Sequence, residues 1–160
     1  LWPTFSKAIL FLLMFLGGSA GSTAGGIKAV RVVILIKLVK RQIVKIFHPR
    51  AIVPVKLDGK TVSSDTIASV TSFFILYLGI FVISTILISL EGFDLESSAS
   101  AVIATLGNVG PGFGVVGPVL NFSIFSDLST LLFSILMLLG RLELFTILAL
   151  IAPSKWKNEV

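Results

Sequence analysis

Long apolar segments separated by short polar ones dominate the pattern of the chain. The apolar segments extend from Phe5 to Phe47, from Thr66 to Leu90 and from Leu128 to Ala152. About 20 apolar residues cross the hydrocarbon core of a bilayer, so the second and third segments each match one membrane span and the first is too long for one. The pattern predicts an all-α membrane protein.

The first apolar segment is interrupted near its middle. Helix is predicted from Phe5 to Leu16 and again from Ile27 to Phe47, and the sequence GGSAGSTAGG lies between them. Backbone groups outside a helical ladder need water, ions or a neighbouring donor. Residues 1–48 are therefore interpreted as a broken transmembrane helix with an intramembrane gating loop at 17–26; a flexible kink between two packed helices is the alternative. The candidate gate residues are Gly17, Gly18, Ser19, Gly21, Ser22, Thr23, Gly25 and Gly26.

A short helix followed by a glycine-rich loop separates the second and third apolar segments. Leu95 to Leu106 has the length of a short helix, which Asp94 or Ser97 could cap, and TLGNVGPGFG follows from Thr105 to Gly114. Glycine and proline cannot continue the helix, and lipid tolerates irregular backbone only where protein buries it or water reaches it. This predicts a re-entrant pore loop, with a pore helix at 95–106 and a filter at 107–114, inside a membrane-pore-membrane unit at 66–153.

Backbone carbonyl oxygens in such a loop can replace the hydration shell of a cation. The predicted ion selectivity filter is Asn108, Val109, Gly110 and Pro111, with the ion held at Asn108, Val109 and Gly110. The alternative is an ordinary glycine-rich turn at the membrane surface. A side chain at Gly110 would obstruct the required backbone conformation or narrow the path.

Charge is distributed asymmetrically between the two polar loops. Seven basic residues against one acid, Asp58, mark a cytoplasmic side: Lys37, Lys40, Arg41, Lys45, Arg50, Lys56 and Lys60. Four acids without a basic residue mark the outer side, where they would concentrate cations: Glu91, Asp94, Glu96 and Asp127. Residues 49–65 are then a cytoplasmic linker in which a small hairpin could form. Ser64 and Asp65, at its end, are the predicted N-cap of the next helix. Residues 154–160 are a predicted cytoplasmic tail.

Composition agrees with a membrane protein, since the mean hydropathy is +1.04 and 13% of residues are charged, against about 25% in soluble domains. The chain has no cysteine and one histidine, so we expect neither an enzyme nor a resident metal or cofactor. The net charge of the chain is +5, but its basic residues are concentrated in the predicted cytoplasmic loop, so the charge does not predict nucleic-acid binding. The start at Leu1-Trp2-Pro3, without Met, suggests a piece of a longer polypeptide.

Arg141 lies within the third apolar segment, where a charge costs at least about 2.5–3.5 kcal/mol. It must face protein or water, and its five donors suit a cluster of unpaired carbonyls. Our hypothesis is that Arg141 holds the loop at 17–26 closed. The alternative is a structural arginine paired with a glutamate on another helix.

Five motifs in order extend over nearly the whole chain: Trp2-Pro3, GGSAGSTAGGIK at 17–28, HPRAIVPVKLDGK at 48–60, TLGNVGPGFG at 105–114 and MLLGRLELFT at 137–146. Together they resemble the bacterial Trk/Ktr-type potassium-uptake membrane subunits, of the TrkH kind. The resemblance implies four membrane-pore-membrane units around a pseudo-fourfold pore. This chain would supply the second helix of the third unit and all of the fourth, with Gly110 as its filter glycine.

The resemblance also implies function and partners. It implies potassium uptake across the bacterial cytoplasmic membrane, with potassium as the substrate, a gate at Gly17 to Gly26 and Arg141 as its partner. The implied partners are the remaining repeats of the same polypeptide, a second copy in a homodimer, membrane lipid, and a cytosolic nucleotide-binding regulatory subunit of the TrkA/KtrA kind at the 48–60 loop. The C-terminus would be cytoplasmic. The main alternative is a secondary solute transporter whose broken helix binds a solute; a non-transporting scaffold would leave Gly110 replaceable.

Overall fold

The described part of the protein is almost entirely helical, as the apolar pattern predicted. The structure, a computed structural model, describes residues 3–19, 25–51 and 53–142. In these ranges the helices are α1 (Thr4–Leu16), α2 (Ala29–Phe47), α3 (Ser64–Ser89), α4 (Leu95–Leu106) and α5 (Asp127–Leu142). The short strands are β1 (Lys56–Leu57) and β2 (Lys60–Thr61), and 3₁₀ turns lie at Gly114–Val116 and Phe122–Ile124. The end of the third predicted span and the predicted tail at 154–160 lie outside the described residues.

The longest helix, α3, has 26 residues and is the one helix of the described ranges that is long and apolar enough to cross a membrane. Its cap is Ser63, whose Oγ accepts a hydrogen bond from the Thr66 N–H at 3.2 Å. The cap predicted at Ser64 and Asp65 is therefore wrong by one residue. Ser63 takes this role because its extended backbone lets the hydroxyl reach an N–H of the first turn, whereas Ser64 is already helical.

The two halves of the broken helix begin and end close to their predicted limits. Helix α2 starts at Ala29 rather than Ile27, because the Ile27 N–H donates to the carbonyl of Phe15 at 3.1 Å instead of entering a helical ladder. The Ala29 N–H likewise donates to the carbonyl of Gly18 at 3.1 Å. These two bonds join the segments on either side of the interruption.

Helix α4 occupies the centre of the fold and has the predicted bounds. It packs against α1, α3 and α5, and every residue from Ser100 to Leu106 is buried. Its buried positions include small side chains at Ser97, Ser98 and Ser100, which let neighbouring helices approach closely. Asp94 caps this helix, its Oδ2 accepting from the Ser97 N–H at 3.0 Å. A short helix is thus held inside the molecule on three sides.

On the predicted cytoplasmic side, β1 and β2 form the small hairpin that the linker sequence favoured. Lys56 pairs with Thr61 and Leu57 with Lys60. Asp58 and Gly59, with φ of 48° and 78°, form the turn, whose positive φ values match the two-residue turns preferred in hairpins. The Lys37 Nζ donates to the carbonyl of Lys56 at 2.7 Å, which fixes the hairpin against α2.

Candidate functional site

The C-terminal end of α4 turns sharply into the predicted filter. The Val109 N–H donates to the carbonyl of Ala104 at 2.9 Å and the Asn108 N–H to the carbonyl of Thr105 at 3.1 Å. Asn108 has φ of 52°, so it takes the left-handed position that glycine usually fills in this Schellman ending. Its Nδ2 also donates to the carbonyl of Met137 at 3.1 Å. Asn108 therefore ends α4 and joins it to α5.

The four predicted filter residues, Asn108, Val109, Gly110 and Pro111, form a continuous exposed strip that begins within this turn. Gly110 has φ of 106°, a conformation that strains any residue with a side chain. A Cβ added there meets nothing within 4 Å. The backbone conformation supports one of the two reasons given for glycine at this position, and the other, that a side chain would narrow the path, stays a prediction.

Two serines of α4 hold the return of the loop. The Ser100 Oγ accepts from the Phe113 N–H at 2.9 Å and lies 3.1 Å from the Phe113 carbonyl, to which it can donate. The Ser97 Oγ accepts from the Val115 N–H at 3.2 Å. A Cβ on Gly112 would lie 3.0 Å from the Ser100 Oγ, so this glycine is needed for the approach. The sequence reasoning gave Ser97 as a candidate cap, a role that Asp94 takes, and assigned no loop contact to Ser97 or Ser100; their spacing of three on one helical face was the available signal.

The glycine loop of the broken helix meets the end of α4. A Cβ on Gly25 would lie 2.7 Å from the Gly107 carbonyl oxygen and 2.9 Å from the Asn108 Nδ2. A Cβ on Gly107 would lie 2.9 Å from the Met14 carbonyl oxygen. The backbone of the predicted gate therefore contacts the backbone at the start of the predicted filter. Gly17, Gly18, Ser19, Gly25 and Gly26 are described, whereas the gate candidates Gly21, Ser22 and Thr23 lie outside the described residues.

Helix α5 reaches the same point through Gly140. A Cβ there would fall within 2.8 Å of the Asn108 Nδ2 and closer still to the Leu106 carbonyl oxygen. The sequence reasoning missed Gly140, although a glycine beside Arg141 inside a span was a signal for close packing. Arg141 itself lines a cavity of about 620 Å³ together with Asn108 and residues of α5. The structure therefore brings Arg141 and the predicted filter to one cavity.

Four acidic residues, Glu91, Asp94, Glu96 and Asp127, mark the predicted outer end of the molecule. Glu91 accepts hydrogen bonds from the hydroxyls of Ser126 and Ser129 and from the Ser126 N–H. These bonds, that from Ser126 first, lower the pKa of Glu91. Hydrogen bonding from Ser97 lowers the pKa of Asp94. Glu96 pairs with Lys7 of α1 at 2.8 Å, a basic partner that the comparison of loop charges alone did not indicate.

Metal-ligating side chains do not gather in the described ranges, where no group of three or more His, Cys, Asp or Glu residues occurs. The predicted filter consists of backbone carbonyl groups, and an ion at this position stays a prediction.

A broken helix and a re-entrant helix with its loop, packed between spans, define a helical membrane protein built from membrane-pore-membrane units. The family model described as TrkH, cation transport protein, matches residues 1–159. The chain belongs to this TrkH cation transport protein family, and the family is one of transporters rather than enzymes.

Two curated relatives and one solved structure support the assignment. The chain is 37% identical over 157 residues to the Trk system potassium uptake protein TrkH of Escherichia coli K12, and 38% identical to TrkG of the same strain. Each alignment covers 98% of this chain and 32% of the relative. The crystal structure of the potassium transporter TrkH from Vibrio parahaemolyticus matches with a TM-score of 0.85 at 37% identity, covering 98% of this chain and 33% of that one. The chain thus spans about a third of the length of these relatives.

Proposed function

We propose that this chain forms part of a pathway for potassium uptake across a bacterial cytoplasmic membrane. The observation that carries the proposal is the exposed strip at 108–111, presented by a buried helix that ends inside the fold. Its relatives bear the names of potassium uptake proteins. Potassium is substrate in this proposal, and the chain needs no cofactor of its own.

The proposed filter consists of the carbonyl oxygens of Asn108, Val109 and Gly110, with Pro111 fixing the backbone that follows. These oxygens would replace the hydration shell of the ion. The C-terminal end of α4 adds a partial negative charge of about half an elementary charge, which favours a cation at this end. The acids on the outer side raise the local cation concentration further.

The proposed gate is the loop at 17–26. Its support is the backbone contact of Gly25 with Gly107 and Asn108, which puts the base of the loop directly against the proposed filter. A change in loop conformation would therefore move the backbone beside the proposed filter. Arg141, on the wall of the cavity that Asn108 also lines, is the proposed residue that stabilises the closed loop.

The remaining repeats of the same polypeptide would complete the pore. Further proposed partners are a second copy of the protein and a cytosolic nucleotide-binding regulatory subunit of the TrkA/KtrA kind at the 48–60 loop. Seven basic residues between positions 37 and 60 support a cytoplasmic location of that loop. The C-terminus would lie on the same side.

The test is rescue of a potassium-uptake-deficient bacterial strain by the full-length protein with Gly110→Ser. The matched control is Gly92→Ser, because Gly92 also has a positive φ, 87°, and also leaves open space around an added Cβ. Both variants put a side chain at a strained positive φ, so we expect Gly110→Ser to abolish growth at low potassium and Gly92→Ser to retain it. Equal growth of the two at matched membrane expression would contradict the filter, and would favour the alternative of a secondary solute transporter with its site in the broken helix.

A further inference from the structure

The side chain of Asn108 is held by two other segments of the chain. Its Nδ2 donates to the carbonyl of Met137 in α5 at 3.1 Å. A Cβ added to Gly140 of α5 would lie 2.8 Å from this nitrogen, and a Cβ added to Gly25 would lie 2.9 Å from it. The amide nitrogen of Asn108 therefore adjoins both α5 and the base of the loop at 17–26.

The hydrogen bond to Met137 fixes which way the amide points. A backbone carbonyl only accepts, so the group that faces it is the amide nitrogen and not the amide oxygen. The glycine backbones on either side of the nitrogen restrict its movement further. Side chains that packing and hydrogen bonds lock in this way hold a binding site more precisely than free ones.

The backbone of Asn108 is constrained as well. Its φ of 52° is left-handed, and its N–H donates to the carbonyl of Thr105 at 3.1 Å. The carbonyl group of Asn108 is the first of the three in the proposed filter, and those of Val109 and Gly110 follow directly. The position of the first proposed ligand is therefore set by a residue that is held at both its backbone and its side chain.

Asparagine is not required for the turn itself. Glycine takes a left-handed φ with less strain and is the usual residue at this point of a Schellman ending. Within the described residues, the one hydrogen bond of the Asn108 side chain joins it to α5. What asparagine adds to the turn is thus the bond to Met137, which we call the amide tether.

We propose that the amide tether of Asn108 sets the ion preference of the proposed filter, so that the side chain acts as a positioning group. Preference among cations depends on the number and the placement of the oxygens around the ion. Release of the tether frees the first of these oxygens to shift and so reduces the distinction between potassium and sodium. The inference rests on the proposed function and goes beyond it, since carbonyl groups can form a filter without a tether.

The test is rubidium tracer uptake into proteoliposomes by the full-length protein, with potassium or sodium as the competing ion. Asn108→Gly keeps the left-handed turn and removes the tether. A hydrogen bond of ordinary net strength corresponds to roughly a fivefold change in an equilibrium, so we expect the preference for potassium over sodium to fall about fivefold. Wild-type preference in Asn108→Gly would overturn the inference.

Aspartate supplies a second variant with a matched control. Asn108→Asp keeps the size of the side chain and replaces the donor by an acceptor, which cannot bond the Met137 carbonyl. In the control, Asn121→Asp, the side-chain oxygen already accepts from the Ser123 N–H at 3.1 Å, so aspartate retains that bond. We expect Asn108→Asp to lose ion preference and Asn121→Asp to keep it, and an equal preference in the two would contradict the tether.

Gly110→Ser separates failure of this inference from failure of the proposed function. If Gly110→Ser takes up rubidium as wild type does, the filter itself is wrong. If Gly110→Ser is inactive while Asn108→Gly keeps wild-type preference, only the positioning role is wrong. For a variant with too little uptake to measure, ion preference is read from the potassium and sodium concentrations that half-maximally raise the unfolding midpoint of the purified protein. Loss of the wild-type elution volume in both Asn108 variants would also overturn the inference, because the amide would then support the whole fold and not the filter in particular.

Discussion

Gly140→Ala tests whether α5 and the end of α4 must touch through their backbones. The added Cβ would lie 2.8 Å from the Asn108 Nδ2, well inside the ordinary contact distance of at least 3.4 Å, and closer still to the Leu106 carbonyl oxygen. The two helices must separate by more than half an ångström, which weakens the 3.1 Å bond from Asn108 to Met137. Overpacking of this kind costs about 1–3 kcal/mol, while alanine in a helix interior returns about 0.5–1 kcal/mol.

The matched control is Gly79→Ala in the middle of α3, where an added Cβ meets nothing within 4 Å. We expect this control to raise stability by about 0.5–1 kcal/mol and to leave potassium uptake unchanged. Gly140→Ala should have a lower thermal unfolding midpoint than the Gly79→Ala control and should reduce potassium uptake. Both are measured in the full-length protein, the midpoint by thermal unfolding and the uptake by rubidium tracer flux. If the two alanine variants have the same midpoint and the same flux, the close contact between α4 and α5 contributes neither to stability nor to uptake.

Two further predictions concern hydrogen bonds on α4 and at the outer end. Ser100→Ala should lower the free energy of unfolding by about 1–3 kcal/mol because it leaves a backbone amide of the return loop unpaired. Ser98→Ala should lower it less, since the Ser98 Oγ is buried without a partner in the described residues. Equal midpoints of the two variants in thermal unfolding would refute the role of Ser100. The folded-state pKa of Glu91 is lowered, so its contribution to stability is present above its usual pKa of 4.5 and is lost as pH falls through the lower folded value. Glu91→Gln should therefore flatten the fall of the unfolding midpoint below pH 4.5, and an unchanged slope would contradict it.

The positions of the helices follow closely from the sequence because local features, and not long-range contacts, set most of their ends. Apolar length sets α3, and α4 ends at the predicted residue, where Gly107 and the left-handed Asn108 form the turn. The start of α2 was misplaced because Ile27 suits a helix locally, whereas its N–H donates across the interruption to Phe15. The cap of α3 was misplaced because neighbouring serines are equivalent in sequence, and their backbone conformation decides between them.

The candidate site was predictable only in part. The strip at 108–111 is marked by residues that cannot be helical, so its position was visible in the sequence. Gly25 and Gly140 lie 82 and 33 residues from Gly107 along the chain, and nothing local reveals that Gly25 contacts Gly107 or that Gly140 contacts Leu106 and Asn108. Lys7 reaches Glu96 from another helix, so a count of loop charges could not show the pair. The ion at residues 108–110 and the action of Arg141 on the loop stay predictions.

Gly25 and Gly140 bring two separate segments of backbone against the end of α4, at Gly107 and at Leu106, and the Asn108 side chain lies beside both contacts. Ordinary packed interiors adapt over evolutionary time by exchanging one methyl group at a time, whereas these glycines have no methyl group to lose and no space for one to be added. Saturation mutagenesis should therefore give an abrupt boundary there, with every replacement rejected at these positions and graded tolerance among the neighbours. Such an abrupt boundary would locate the junction in relatives for which no coordinates exist.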